Sequence, residues 1–141
     1  MAMAKVAYDT AVICEQIRPE PAGKFMLLGV IYGDLAMPSF PSNMAIAIYA
    51  EGEVVEEGDF ASTFRVVDEN NDVLSTLSPE APIKFAVGRF SHRAQMSIPV
   101  SKPMTIRVFA DTTKDSQKIL TRKVVLFSPS PPLPLPPGLF L

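Results

Sequence analysis

The sequence predicts an all-β protein: an immunoglobulin-like antiparallel β-sandwich of seven to nine strands with an extended Pro-rich C-terminal arm. Three observations support this fold class. Apolar segments of five to ten residues recur along the chain, and turn-forming residues separate them. No sustained 3.6-residue period marks a long helix. Several segments alternate apolar and polar residues, as a strand with one buried face does. This spacing is typical of two packed sheets.

The clearest strand is the segment HRAQMSIPV, which begins at His92. Ala94, Met96 and Ile98 alternate with polar residues, so we expect them to face the core. Pro99 fits the end of this strand because it cannot donate a hydrogen bond to a neighbouring strand.

Other segments repeat this scheme and supply the remaining strands. PMTIRVFAD places three apolar residues inward, and SNMAIAIYAE is apolar on both faces, which predicts a central strand. In QKILTRKVVLF, Leu120, Val124 and Leu126 share one face with Arg122 among them. The predicted inward residues of PMTIRVFAD are Ile106, Val108 and Ala110. FASTFRVVDENNDVLSTL predicts two strands around an ENND turn. TAVICEQIR and KFMLLGVIY, joined by PEPAG, and a short piece at IKFAV complete the strands, with one helical turn at SPEAP.

The length and charge of the chain limit the classes of protein it can be. The 141 residues fit one domain, which we place at residues 1–127, with the arm at 128–141. A net charge of −2 gives no general attraction for phosphate backbones, so we expect no nucleic-acid partner. The longest apolar run, Phe25 to Tyr32, is too short to cross a bilayer. We expect a cytoplasmic protein, or one incorporated into a virion assembled in the cytoplasm.

Cysteine and histidine, two residue types often used in catalysis, form no recognisable catalytic site in this sequence. Cys14 is the single cysteine and lies in an apolar stretch, so it is expected to be a buried thiol. His92 is the single histidine and is expected at the surface or at a strand edge, because nothing in the spacing joins it to a nucleophile. We therefore predict no enzymatic activity, no cofactor and no metal.

Two acidic stretches have a structural and a functional interpretation. The segment Asp68–Asp72 offers oxygen ligands of the kind calcium accepts, but it lacks the spacing of an EF-hand and favours a hairpin turn. The stretch EGEVVEEGD, from Glu51 to Asp59, is expected to be a solvated loop or a charged edge, and alternatively a docking patch for a basic partner. The glycines of GVIYGDL, Gly29 and Gly33, are interpreted as a bulge and a turn.

Three stretches in the first half of the chain carry a family resemblance: AVICEQIRPEPAGKFMLLGVIYGDL, PSFPSNMAIAIYAEGE and FRVVDENNDVL. Together they resemble an uncharacterised family of small bacterial and phage-associated proteins known as a domain of unknown function. The resemblance covers roughly residues 10–75. It implies a single β-sandwich and brings no catalytic or binding residue with it.

The arm SPSPPLPLPPGLFL is the feature that suggests a use. Six prolines favour an extended polyproline II conformation that loses little entropy on docking, and the three last residues are apolar. An SH3-type ligand would need a basic flanking residue, which is absent. Docking back on its own domain is the alternative to docking on a neighbour. The predicted partner-binding residues of the arm are Pro131, Pro132, Leu133, Pro134, Leu135, Pro136, Leu139, Phe140 and Leu141.

A second candidate contact lies in the loop LAMPSFPSN. Pro38 and Pro41 can stiffen an exposed loop that offers Met37 and Phe40 to a partner. In the alternative interpretation, Phe40 closes one end of the core.

These observations favour a non-enzymatic structural or assembly module that docks through its arm on another copy or another subunit, as a phage or virion accessory component would. The alternative is a cytosolic binding domain that takes a small ligand or regulatory partner in the loops at one end of the sandwich.

Overall fold

The computed structural model describes residues 5–56, 58–60, 63–77, 83–85, 88–111 and 116–127. These residues form eleven strands and one short 3₁₀ turn at Pro21–Gly23. The strands are β1 (Lys5–Glu20), β2 (Lys24–Ile31), β3 (Leu35–Met37), β4 (Ser42–Glu56), β5 (Gly58–Phe60), β6 (Thr63–Val67), β7 (Val73–Leu77), β8 (Ile83–Phe85), β9 (Gly88–Val100), β10 (Met104–Asp111) and β11 (Ser116–Leu126).

Nine of these strands build two packed sheets. The first sheet has the order β2-β1-β4-β9, and the second has the order β3-β11-β10-β6-β7. Strands β5 and β8 form a separate two-stranded pair. The all-β sandwich predicted from the sequence is confirmed.

One pair departs from the predicted antiparallel arrangement. Strand β3 runs parallel to β11, with Leu35 beside Val124 and Met37 beside Leu126. The chain leaves the first sheet after β2 and joins the edge of the second sheet for only three residues, in the direction that leads on to β4.

The core contains the side chains that the alternation predicted. Ala94, Met96 and Ile98 of β9 are buried, as are Ile106, Val108 and Ala110 of β10. Strand β4 is central, paired with β1 on one side and with β9 on the other. Pro99 lies one residue before the end of β9, an edge strand of the first sheet, so its missing N–H leaves no ladder incomplete.

The ENND turn connects β6 and β7 as predicted. The Asp68 carboxylate accepts hydrogen bonds from the backbone N–H groups of Asn70 and Asp72, at 2.8 and 3.0 Å. Asn71 has a φ of 64°, a conformation that asparagine tolerates better than most residues. The carboxylate thus shapes the turn.

A side chain of the second sheet forms hydrogen bonds with backbone groups of the first sheet. Residues 5–12 of β1 pair with β4 but lie beyond the part of β1 that pairs with β2. The amide of Gln117 accepts a hydrogen bond from the Tyr8 N–H at 3.1 Å and donates one to the Val6 carbonyl at 3.0 Å. Gln117 therefore replaces a neighbouring strand at this point and ties the two sheets together.

Two sequence predictions need correction, and a third concerns residues that the structure does not describe. Leu126 was expected to share one face with Leu120 and Val124, but only Leu120 and Val124 are buried, and Leu126 is 54% exposed. Glu51 and Glu53 were expected in a loop or at an edge, but they lie in the central strand β4. The helical turn predicted at SPEAP lies outside the described residues. Within the part of the chain that is described, no helix is long and apolar enough to cross a membrane.

Candidate docking site

Halfway along the hairpin of β1 and β2, the face that carries the buried apolar side chains changes from one side of the hairpin to the other. Cys14 pairs with Val30 and Gln16 with Leu28, so the register is continuous and the bulge predicted at Gly29 is absent. Ile13 faces the core between the sheets, whereas Cys14 and Ile17, three positions apart, share a second cluster. Uninterrupted alternation would place residues 14 and 17 on opposite faces.

Gly29 makes this reversal of faces possible. Its φ of 68° lies in the left-handed region, and a Cβ there would lie 2.8 Å from the Glu15 side chain. A glycine adopts this conformation without steric cost. The distal half of the hairpin can therefore turn its apolar face towards the outer side of the first sheet.

The distal half of the hairpin packs against β4 and β9. Ile17 forms a buried cluster with Cys14 and Ala47, against which Phe25, Leu27, Val30 and Tyr49 pack. The guanidinium carbon of Arg93, on β9, lies 3.7 Å from the centre of the Phe25 ring. This contact is within the range of a cation–π interaction and fixes the hairpin tip over the sheet.

Two open grooves flank Phe25, and together we call them the Phe25 groove. The larger has a volume of about 500 Å³, and the smaller has about 280 Å³. Phe25 lines both. The larger is also lined by Lys24, Leu27, Tyr49, Glu51, Arg89, Phe90 and Ser91, and the smaller by Ile17, Pro19, Arg93, Ala94 and Gln95.

The polar side chains of the Phe25 groove are mainly hydrogen-bond donors. Lys24, Arg89 and Arg93 can only donate, and Glu51 is the acceptor-only side chain among the lining residues. Arg89 forms a bidentate ion pair with Asp9 and has a Glu53 oxygen 3.8 Å away, which fixes its position and raises its pKa. The groove combines apolar rings with side-chain donors.

The loop residues Met37 and Phe40 belong to the core. Met37 is 5% exposed, and Phe40 packs against the main buried cluster. The prediction that Met37 is offered to a partner is wrong, because its side chain on β3 belongs to the main buried cluster. Phe40 takes the alternative role of closing one end of the core.

The predicted partner-binding residues of the arm, from Pro131 to Leu141, lie outside the described residues. The described residues end at Phe127, directly before the position where the sequence predicts the arm to begin. The Phe127 N–H donates a hydrogen bond of 2.6 Å to the Met37 carbonyl, immediately before the arm. Leu126 and Phe127 are each 54% exposed at this point.

His92 lies on the edge strand β9 but points into the sandwich. Its ring stacks on that of buried Phe64 with 4.5 Å between centroids, and its Nδ1 lies 3.4 Å from the Tyr8 hydroxyl. Burial, with a smaller contribution from the charge of Arg93, lowers its pKa to about 4. His92 was predicted at the surface or at a strand edge: it does lie on an edge strand, but its neutral ring is a packing element rather than a surface group.

Cys14 is fully buried, as its apolar sequence context predicted. Burial raises the pKa of its thiol, so the reactive thiolate is disfavoured. Among the described residues, no group of three His, Cys, Asp or Glu side chains is arranged to hold a metal ion.

A further groove lies at the end of the sandwich where β4 begins and β9 ends. It has a volume of about 450 Å³ and is open. Its lining residues are Pro41, Ser42, Asn43, Leu74, Pro99, Val100 and Ser101. They supply hydroxyl, amide and backbone groups but no titratable side chain.

The fold and these surfaces together define an all-β sandwich protein with open, partly apolar grooves on its surface. The chain belongs to a family of unknown function, DUF6941, whose model matches residues 9–114. This match confirms the resemblance to an uncharacterised family and extends it from the first half of the chain to most of the sandwich. It ends before β11 and the arm. No curated protein matches the sequence.

Proposed function

We propose that this protein is a non-enzymatic assembly module that docks on a neighbouring subunit through residues 128–141. The observation that supports this role is the pair of exposed side chains at the base of the arm. Leu126 and Phe127 each leave 54% of their surface in solvent, directly before a segment rich in proline and leucine. A partner surface would cover both together with the arm.

The energetic argument favours docking over a free tail. Complete burial of a Leu or Phe side chain contributes about 1.5–3 kcal/mol, so the apolar residues of the arm offer a substantial gross gain. Proline restricts the free chain, which reduces the conformational entropy lost when the arm is ordered. The hydrogen bond from Phe127 to Met37 anchors the base of the arm, which lowers this cost further.

A virion or other large assembly is one setting for such a module, because extended arms can join neighbouring subunits without a large flat interface. This setting rests on the general use of sandwich folds with arms. The proposal that the arm docks on a neighbouring subunit does not depend on this setting.

The test is the solution mass of the full chain and of a variant without residues 128–141. We expect the full chain to associate with increasing concentration and the shortened chain to remain monomeric, measured by sedimentation equilibrium. A third protein, in which a Gly/Ser segment of equal length replaces the arm, controls for chain length. Association of the shortened protein equal to that of the full chain would show that the arm is not the connector.

A further inference from the structure

We infer that the Phe25 groove receives the proline-rich segment 129–137 from a second copy of the chain. This inference rests on the proposed function and identifies the receiving surface. Three properties support it: the hydrogen-bonding chemistry of the segment, the aromatic lining of the groove and the distance between the groove and the base of the arm.

The segment is a hydrogen-bond acceptor with few donors. Six of its nine residues are prolines, so its backbone carries three N–H groups, at Ser130, Leu133 and Leu135, and nine carbonyls. A matching surface must therefore supply donors. The Phe25 groove does so through Lys24, Arg89 and Arg93, with the hydroxyls of Tyr49 and Ser91 beside them.

The apolar surfaces also match. Because a polyproline II helix repeats every three residues, Pro131, Pro134 and Pro137 would share one edge if the segment binds in that conformation. Grooves lined by aromatic rings recognise such edges because flat rings pack on the pyrrolidine rings. Phe25 and Tyr49 provide these rings, and the stacked Arg93 holds Phe25 in place.

The chain length favours a second copy as the source of the segment, because only such a copy can fill the groove with the whole of residues 129–137. Phe127 is hydrogen-bonded to Met37, five residues before β4 begins at Ser42, so the arm starts at this end of the sandwich. Glu51, in the groove, lies nine residues further along β4, which corresponds to about 30 Å of strand. Pro131 is four residues beyond Phe127, a reach of about 12 Å in polyproline II, so the first half of the segment falls short of this distance, whereas Pro137, ten residues beyond Phe127, reaches about 31 Å. An arm from a neighbouring copy has no such limit.

The experiment uses two complementary variants of the full chain. Phe25→Ala alters the groove and keeps the arm, whereas Pro131→Ser with Pro134→Ser alters the contacting edge of the arm and keeps the groove. Each alone is expected to raise the dissociation constant for self-association by about tenfold or more. An equimolar mixture should recover association between unlike chains, because one intact arm meets one intact groove. Sedimentation with one fluorescently labelled variant measures it.

Met26→Ala is the matched control. Met26 neighbours Phe25 on β2 but points to the opposite face and is exposed. This variant should associate like the parent chain, and thermal melting confirms that all variants are folded.

A crosslink keeps the inference testable if Phe25→Ala does not fold. A photoreactive residue at the exposed Lys24 position should attach to residues 129–137 of another chain, as mapped by mass spectrometry. No crosslink, or a crosslink elsewhere, would overturn the inference. If removal of the arm abolishes association while Phe25→Ala and the crosslink show no groove contact, the proposed function stands and the groove assignment fails. If removal of the arm has no effect, both fail.

Discussion

At the scale of single residues, His92 shows how an ionisable side chain can serve as a packing element. Its ring stacks on Phe64 and faces Ala50, whose small side chain leaves room for it across the strand pair. His92, Ala94 and Met96 occupy alternate positions of β9, so strand alternation places all three on the inward face. The alternation was therefore visible in the sequence, but the polarity of histidine favoured a surface position. The space beside Ala50 depends on a strand 42 residues earlier, which no local pattern reports.

The burial of His92 predicts that the protein loses stability in mild acid. Burial lowers its pKa from 6.5 to about 4, so the unfolded chain binds the proton more readily than the folded chain between these values. The stability that depends on the neutral His92 ring is fully present above pH 6.5 and declines as the pH falls towards 4. We expect the free energy of unfolding to fall by about 2 kcal/mol between pH 7 and pH 5. Urea unfolding at the two pH values measures this difference.

His92→Gln is the control for this prediction. It removes the titrating ring while keeping a polar side chain of similar length. Its unfolding free energy should change much less between pH 7 and pH 5 than that of the parent chain, even if it is lower at both. Equal pH dependence in the two proteins would assign the effect to other groups.

At the scale of strands, sequence periodicity predicted the regular elements and missed the irregular ones. Strands β9 and β10 alternate without interruption, so their buried residues could be read directly. The hairpin of β1 and β2 could not, because its faces exchange at Gly29. The contact that fixes its tip joins Phe25 to Arg93, 68 residues later. The Phe25 groove was invisible in the sequence for the same reason.

Among Gly29, Gly33, Gly52 and Gly88, the crowding between strands is greatest at Gly52. Strand β1 has an irregular register opposite it, between Tyr8 and Thr10, and a Cβ at residue 52 would lie 2.2 Å from the Ala7 carbonyl oxygen. Gly52→Ala must therefore displace the backbone of β1. We expect a loss of about 1–3 kcal/mol in the free energy of unfolding, measured with urea. Gly33→Ala, which would meet nothing within 4 Å, should change it by about 0.5 kcal/mol or less.

At the scale of the whole molecule, the described core is built from residues that precede the arm. The buried apolar residues lie between Val6 and Val124. All strands of the two sheets lie within the described residues. The division between sandwich and arm stays a prediction of the sequence, in which the strand patterns end where the prolines begin. The sequence could not show that Met37 is buried, since a three-residue strand has too little alternation to reveal its face.

This division predicts how stability depends on protein concentration. At low concentration, removal of residues 128–141 should change the free energy of unfolding by less than about 0.5 kcal/mol. At higher concentration, the melting temperature of the full chain should rise because association stabilises the folded state by mass action. The shortened chain should show no such rise in calorimetry. A concentration-independent melting temperature for the full chain would contradict the docking proposal.

The parallel pair of β3 and β11 has a consequence for how the protein folds. Met37 and Leu126 are neighbours in the sheet but 89 residues apart in the chain, so β3 has no partner strand until β11 has been synthesised. Bringing such distant segments together costs loop-closure entropy before the contact contributes any stability, which slows folding. A nascent chain that lacks residues 116–126 carries β10 with one open edge, where another strand can pair incorrectly. We therefore expect the second sheet to be completed late in folding, after the rest of its strands have paired.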